Sequence, residues 1–446
     1  MTDHTARRIP VHRGPAAWSA ILPGQPGPVV LDTDLVVDFA IVGAGFAGLS
    51  AARRLRQLHP SARIAVLEAS RIAEGASGRN SGFMIDLPHE LTSEDYSGGG
   101  DDRALIALNR SAIGFAEGVV ADYGIDRNFF DPAGKVNGAA SEQADRLNRS
   151  YADHLATMGE GSTYLDAQAM RELTGSAHYV SGLYTPGTVM LQPAGYIRGF
   201  AEGLRRDGVG VFEASPVQAM VRQGQGWALR TPGGQVSAGK VIMANNGQLE
   251  SFGFARNRLM HIFLYASMSV DLGAEGIRAL SGQPRWGVTP SDPMGTTMRR
   301  IDPGQGGHRI ITRTCASFEP GMEAPETMIR RSAGVHREKF DDRFPQLRGL
   351  AMEFTWAGHL CLSQNGVSMM RELEQDLYAA CICNGLGTTR STLTGIAAAD
   401  LACGIESDAT RHFTAEAPPR KLPPRPFSTI GANAYLRYKE WRAAAE

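Results

Sequence analysis

The stretch LVVDFAIVGAGFAGLSAARRLRQLHPSARIAVLEAS, residues 35–70, decides the fold. LVVDFAIV is a nearly continuous apolar run ending on glycine, the pattern of a strand covered on both faces. FAGLSAARRLRQL then places Leu49, Ala52 and Leu55 on one side and Arg53, Arg54 and Arg56 on the rest, which reads as an amphipathic helix. After His59-Pro60 the run IAVL gives a second buried strand. Strand, glycine turn, helix and strand make one βαβ unit, and such a unit implies a parallel sheet.

The turn of that unit carries Gly43-x-Gly45-x-x-Gly48, and Glu68 follows twenty residues after Gly48. A lone GxGxxG says little. Placed after a strand and opening a helix, with an acid at that distance, it reads as a dinucleotide site. Gly43 permits the tight turn, Gly45 admits a pyrophosphate against the backbone, and Gly48 lets helix and sheet approach closely. Residues Gly43, Ala44, Gly45, Phe46, Ala47 and Gly48 are therefore expected around the phosphates, where the free N–H groups and positive end of a helix dipole favour anions. Glu68 and Ala69 are expected at a ribose diol, and an acid there disfavours the 2′-phosphate of NADP.

The motif alone does not choose between NAD and FAD. The segment EGASGRNSGF, residues 74–83, argues for FAD. A cofactor that runs on past the first βαβ unit needs a small-residue loop giving backbone access, with Ser77, Gly78, Arg79, Asn80 and Ser81 as contacts.

A chain of 446 residues exceeds one compact core, so two domains are expected. A net charge of -1 offers no field for nucleic acid or an anionic membrane. Five cysteines, at 315, 361, 381, 383 and 403, form an odd set without metal-type spacing, so no metal is expected and a reducing, cytoplasmic setting fits. No apolar run approaches the ~20 residues of a membrane span. Residues 1–35, rich in Pro and Gly, read as an arm on the surface or on a partner subunit. Helices are expected between about 91 and 184, a strand meander through 209–247, and a second sheet from HIFLYASMSV, GTTMRRI and HRIITRT. LYAACICNGLGTTRSTLTGIAAADLACG reads as strand, glycine turn and small-residue helix, followed by a Pro-rich tail.

In VVDFAIVGAGFAGLSAARRL, VLEASRIAEGASGRNSGF, KVIMANNG and the last of those segments, the chain resembles the FAD-dependent D-amino-acid oxidase (DAO) superfamily, most of all its gamma-glutamylputrescine oxidoreductase and sarcosine oxidase-like members. The resemblance implies an α/β fold with a Rossmann-type FAD-binding domain and an inserted antiparallel-sheet substrate domain (α+β). It divides the chain into 36–90, 185–255 and 355–446 for the cofactor and 91–184 with 256–354 for the substrate. It implies that Gly385, Leu386, Gly387, Thr388 and Thr389 return to the pyrimidine side of the flavin, and that the backbone of Val217 meets the adenine.

The implied reaction is oxidation of the C–N bond of an amine or amino acid: hydride transfer to flavin, then hydrolysis of an imine, with O2 or another electron acceptor closing the cycle. An FAD- or NAD-dependent hydroxylase and a non-catalytic FAD-binding protein are the alternatives. Tyr265, Arg299 and Arg313 are the substrate candidates, since arginine holds anions in a fork and aromatic rings box amine cations. Met298 and Arg300 lie beside them in sequence, and Trp356 and His359 precede the C-terminal strand. The strand HRIITRT lacks the lysine that some relatives carry beside the flavin, and Cys361 lies in the region where sarcosine oxidases tether theirs; non-covalent FAD is expected. No catalytic acid or base is identified.

Overall fold

A computed structural model describes residues 3–88, 102–292 and 294–446. The opening stretch forms the strand Leu35–Val42, the helix Phe46–Leu58 and the strand Ile64–Leu67, with the two strands parallel and Val42 opposite Leu67. They sit inside a nine-stranded mixed sheet. Gln235–Met243 and Gly210–Phe212 flank them in parallel, and Leu377–Cys381 runs parallel to Gln235–Met243 on the far side. The meander expected through 209–247 supplies the antiparallel strands Ala219–Gln223 and Gly226–Arg230 at one end.

The second sheet has eight strands and is antiparallel apart from the pair Trp286–Pro290 and Lys135–Ala139. HIFLYASMSV, GTTMRRI and HRIITRT become Leu259–Ser269, Thr297–Ile301 and Arg309–Phe318. Strand Met352–Ser363 straddles the expected boundary at 355 and pairs along almost all of Leu259–Ser269. The boundary at 90/91 lies outside the described residues.

Three features depart from the sequence reading. Helix Asp102–Tyr123 is, by length and composition alone, long and apolar enough to cross a membrane, where no such run was expected. Its Ala112, Ala116, Val119 and Val120 are buried in the main core, and Arg53 donates to Phe115 C=O at 2.9 Å and to Asp122. The tail beyond 404 holds two helices, Asp408–Ala415 and Phe427–Arg442. The N-terminal segment, read as an arm, is anchored inside: Trp18 is fully buried, donates Nε1–H to Asn80 C=O at 2.9 Å, and its own C=O accepts from Gln192 at 2.8 Å.

Candidate functional site

The glycine turn is built by backbone demands. Gly43 sits at φ +108, a left-handed conformation, and a Cβ there would lie 2.6 Å from Ala244 C=O. At Gly48 a Cβ would fall 1.8 Å from Gly43 C=O, so helix and turn touch only because this side chain is missing. Gly45 caps the helix without a side-chain acceptor, which leaves first-turn N–H groups unfilled. A Cβ on Gly45 would meet only Ser77, at 3.7 Å, so the turn and the 74–83 loop face each other across a narrow opening.

Glu68 lies at the end of the second strand. Its Oε2 accepts from Ala44 N–H at 2.9 Å and Oε1 from Ser70 N–H at 3.0 Å. Burial pushes this carboxyl above the usual range, and the backbone donors of Ala44, Ser70 and Ala69 oppose the shift. Ser215 N–H donates to Glu68 C=O, which brings the segment carrying buried Val217 alongside Glu68 and Ala69.

A cavity of about 480 Å³ opens from the turn to the eight-stranded sheet. Gly45, Phe46, Ala47, Ser77, Arg79, Asn80, Ser81, Gly385, Gly387 and Thr388 line it, as do Tyr265 and Arg313. Gly43, Gly48, Gly78, Leu386 and Thr389 stand behind that wall. Helix Gly387–Ala402 starts on the cavity with no capping side chain, and a Cβ on Gly387 would meet nothing within 4 Å. Thr388 and Thr389 turn their hydroxyls to Phe83 C=O at 2.7 Å and Ile85 C=O at 2.9 Å, tying the helix start to the 74–88 segment. Two uncapped helix N-termini, each with a glycine beside which the protein leaves open space, fit a ligand bearing phosphate at one and a polarisable ring edge at the other.

Two loop residues expected to offer polar side chains have already spent them. Arg79 donates to the carbonyls of Glu74 at 2.6 Å, Arg13 at 3.0 Å, Gly14 at 3.0 Å and Ala357 at 3.3 Å. Asn80 bridges Ser77 C=O and Gly82 N–H. Both hold the loop in shape, with Trp356 Nε1–H bonded to Arg79 C=O at 3.0 Å.

The substrate candidates separate. Arg299 is buried away from the cavity; its Nη1 donates to Ser81 and Gly82 C=O at 3.2 and 3.0 Å, its Nη2 to Gln305 at 2.8 Å, and its guanidinium stacks on Trp18. Arg300 turns to Ser281 C=O, and Met298 is in the core. Tyr265 lines the cavity while its hydroxyl pairs with Ser317 at 2.7 Å, and burial raises it to about 12. Arg313 lines the cavity with its Nε buried and unpaired, and among the described residues no hydrogen bond or ion pair reaches its side chain. Burial lowers its guanidinium, offset only by the Cys315 thiol.

Sequence reading named His359, which lines the cavity, but missed the partners that join it and missed Lys135. Glu250, His261 and His359 form a buried chain, Oε2 to Nε2 at 2.7 Å and Nδ1 to Nε2 at 3.2 Å, and burial takes His359 down to about 3. Lys135, bonded to Asn137 and Thr289, lies on the cavity wall with its amine lowered to about 8 by burial. These residues are far apart in the chain and no short motif marks them. Cys361 is fully buried in the core against the nine-stranded sheet and does not itself line the cavity, although its strand neighbours His359, Leu360 and Leu362 do. Among the described residues no cluster of His, Cys, Asp and Glu is arranged to hold a metal.

A family model described as FAD dependent oxidoreductase, DAO, matches residues 38–401. The chain is 23% identical over 414 residues to a probable oxidoreductase OrdL of Rhizobium meliloti, covering 90% of each. It is 25% identical over 406 residues to gamma-glutamylputrescine oxidoreductase of Escherichia coli, covering 89% of each. L-2-hydroxyglutarate dehydrogenase of Escherichia coli K12 matches 46% of each chain at 26% identity. In three dimensions the chain is similar to glycine oxidase from Geobacillus kaustophilus, with a TM-score of 0.67 and 19% identity over 84% of this chain and 96% of that one. It is also similar to L-proline dehydrogenase from P. horikoshii, with a TM-score of 0.64 and 14% identity over 86% and 100%.

Proposed function

The chain belongs to the family of FAD-dependent oxidoreductases, and from that premise we propose that it oxidises the C–N bond of an amine or amino acid whose anionic group is held by Arg313. One observation carries the reading: a guanidinium without any protein partner among the described residues, on the wall of the cavity into which both helix N-termini open. A buried unpaired charge is costly, and the cost is recovered only when an anion arrives. The relatives matched along most of their length include one named for a putrescine derivative, which supports nitrogen chemistry, whereas the hydroxy-acid dehydrogenase matches less than half of the chain.

FAD, when bound, supplies the hydride acceptor. The protein's own residues do the rest. The Gly45 helix start and Glu68 hold the dinucleotide, with Val217 at the adenine. Gly385, Gly387 and the helix start behind them meet the flavin end, and Arg313 orients the substrate while the Tyr265 ring limits its position. An amine that enters neutral needs no protein base. The full burial of Cys361 off the cavity wall supports non-covalent binding, and five free cysteines support a reducing, cytoplasmic setting.

Anaerobic titration of the purified protein with polyamine derivatives, N-methyl amino acids, D-amino acids and 2-hydroxy acids tests the proposal. Loss of visible absorbance with a carboxylate-bearing amine, and none with its decarboxylated counterpart, is the expected result. Bleaching by 2-hydroxy acids alone would overturn it, and the rate of recovery in air separates oxidase from dehydrogenase.

A further inference from the structure

The last helix, Phe427–Arg442, is turned inside out. Its inner side meets strand Arg309–Phe318 through polar groups: Asn433 accepts from Phe318 N–H and donates to Phe318 C=O, both at 3.0 Å, and Glu440 accepts from Ala316 N–H at 2.9 Å and from Arg331 and Arg437 at 3.0 and 2.8 Å. Leu436 packs inward with Ala432, and the other large apolar side chains face solvent. Phe427 and Trp441 are each 73% exposed, Ile430 66%, Tyr435 56% and Tyr438 50%. Among the described residues, every exposed large aromatic except Tyr164 lies on this helix. Phe427, Ile430, Ala434, Tyr438 and Trp441 recur every three or four residues, which draws one apolar ridge about 21 Å long.

The charge around the ridge has one sign. Arg420, Lys421 and Arg425 on the approach and Arg442 at the end are exposed. The two acids of the segment are withdrawn: Glu440 is spent as above, and Glu446 is buried with its carboxylate accepting from Ala140 N–H and Ser141 Oγ. Two such helices placed together would set cation against cation, which argues against a second copy. A convex aromatic ridge flanked only by cations instead matches a bilayer interface, where Trp and Tyr rings settle at headgroup depth and Lys and Arg meet anionic phosphates.

We propose that helix Phe427–Arg442 docks the protein on the surface of an anionic bilayer, without spanning it. Ala432 and Leu436 of the same helix line the cavity, so docking sets the site beside the membrane. The inference stands whichever substrate the cavity takes.

Flotation of the flavin-loaded protein with phosphatidylcholine vesicles, with and without phosphatidylglycerol, tests it. Binding to the anionic vesicles is expected to exceed binding to neutral ones by roughly tenfold or more, and to fall with salt. The double variant Phe427→Ser/Trp441→Ser, changed only at exposed positions and checked by its flavin spectrum, is expected to stay in the soluble fraction. Absence of binding to anionic vesicles, or unchanged binding by the double variant, would overturn the proposal. So would light scattering that shows a wild-type dimer converted to monomer by the same two changes.

Discussion

Arg299 and Arg313 lie on adjacent, antiparallel strands of one sheet, Thr297–Ile301 and Arg309–Phe318, and their surroundings are opposite. Arg299 is engaged at both terminal nitrogens, clamps the 81–82 backbone and stacks on Trp18. Arg313 has no such partner and faces the cavity. The same residue type thus serves architecture on one strand and stands unpaired on a cavity wall on the next. Spacing along the chain does not distinguish them; the count of satisfied donors does.

The comparison can be broken at several points. The largest effect is expected behind both arginines, at the turn: Gly48→Val drives a side chain into Gly43 C=O, and the purified protein should lack visible flavin absorbance altogether. Arg299→Met leaves the Ser81 and Gly82 carbonyls and Gln305 without their donor, and urea denaturation should show a loss of about 3 kcal/mol. Arg313→Met should do the reverse. It removes an unpaired charge, so stability holds or rises while kcat/KM for a carboxylate-bearing amine falls by roughly 100-fold, about 2.7 kcal/mol. If Arg313→Met unfolds the protein and Arg299→Met abolishes turnover without destabilising it, the assignment of the two is inverted. Glu68→Gln tests the strand end behind the glycine turn, with FAD affinity expected to fall about tenfold by equilibrium dialysis.

The smallest effect is a pH dependence. Burial takes His336, behind the Arg313 strand, down to about 4, with the Arg313 charge adding to it against the opposing bond to Thr314 C=O. Burial also takes His359 to about 3. The folded state binds protons less readily than the unfolded chain, so the stability of these neutral rings is complete above pH ~6.5 and is lost as pH falls towards 3–4. Thermal unfolding between those values should show Tm dropping with acid, and less steeply for His336→Gln and for Arg313→Met.

Legibility followed the same division. The glycine turn, Glu68 and the C-terminal loop could be read because they impose backbone requirements, and backbone requirements select glycine and small residues at set intervals. Side-chain direction leaves no such trace. Arg79 and Asn80 read as ligand contacts, yet their hydrogen bonds run into neighbouring carbonyls. Trp18 lay in a Pro- and Gly-rich segment without periodicity, and its burial depends on Asn80 and Gln192, far along the chain. The final helix hid behind Pro418, Pro419, Pro423, Pro424 and Pro426; its apolar repeat is present in the sequence, but the repeat carries no sign that it faces solvent rather than the core.

Arg79 also bears on how the protein is made. Its guanidinium gathers Arg13 and Gly14 from the start of the chain and Ala357 from near the end, and a Cβ on Gly14 would strike Thr355 C=O at 2.5 Å. During synthesis the first of these segments leaves the ribosome some tens of seconds before the last, at roughly 5–20 residues per second. The clasp cannot close in the interval, and Trp18 waits with it. The segment around Arg13 and Gly14, translated first, is therefore among the last to be fixed in place.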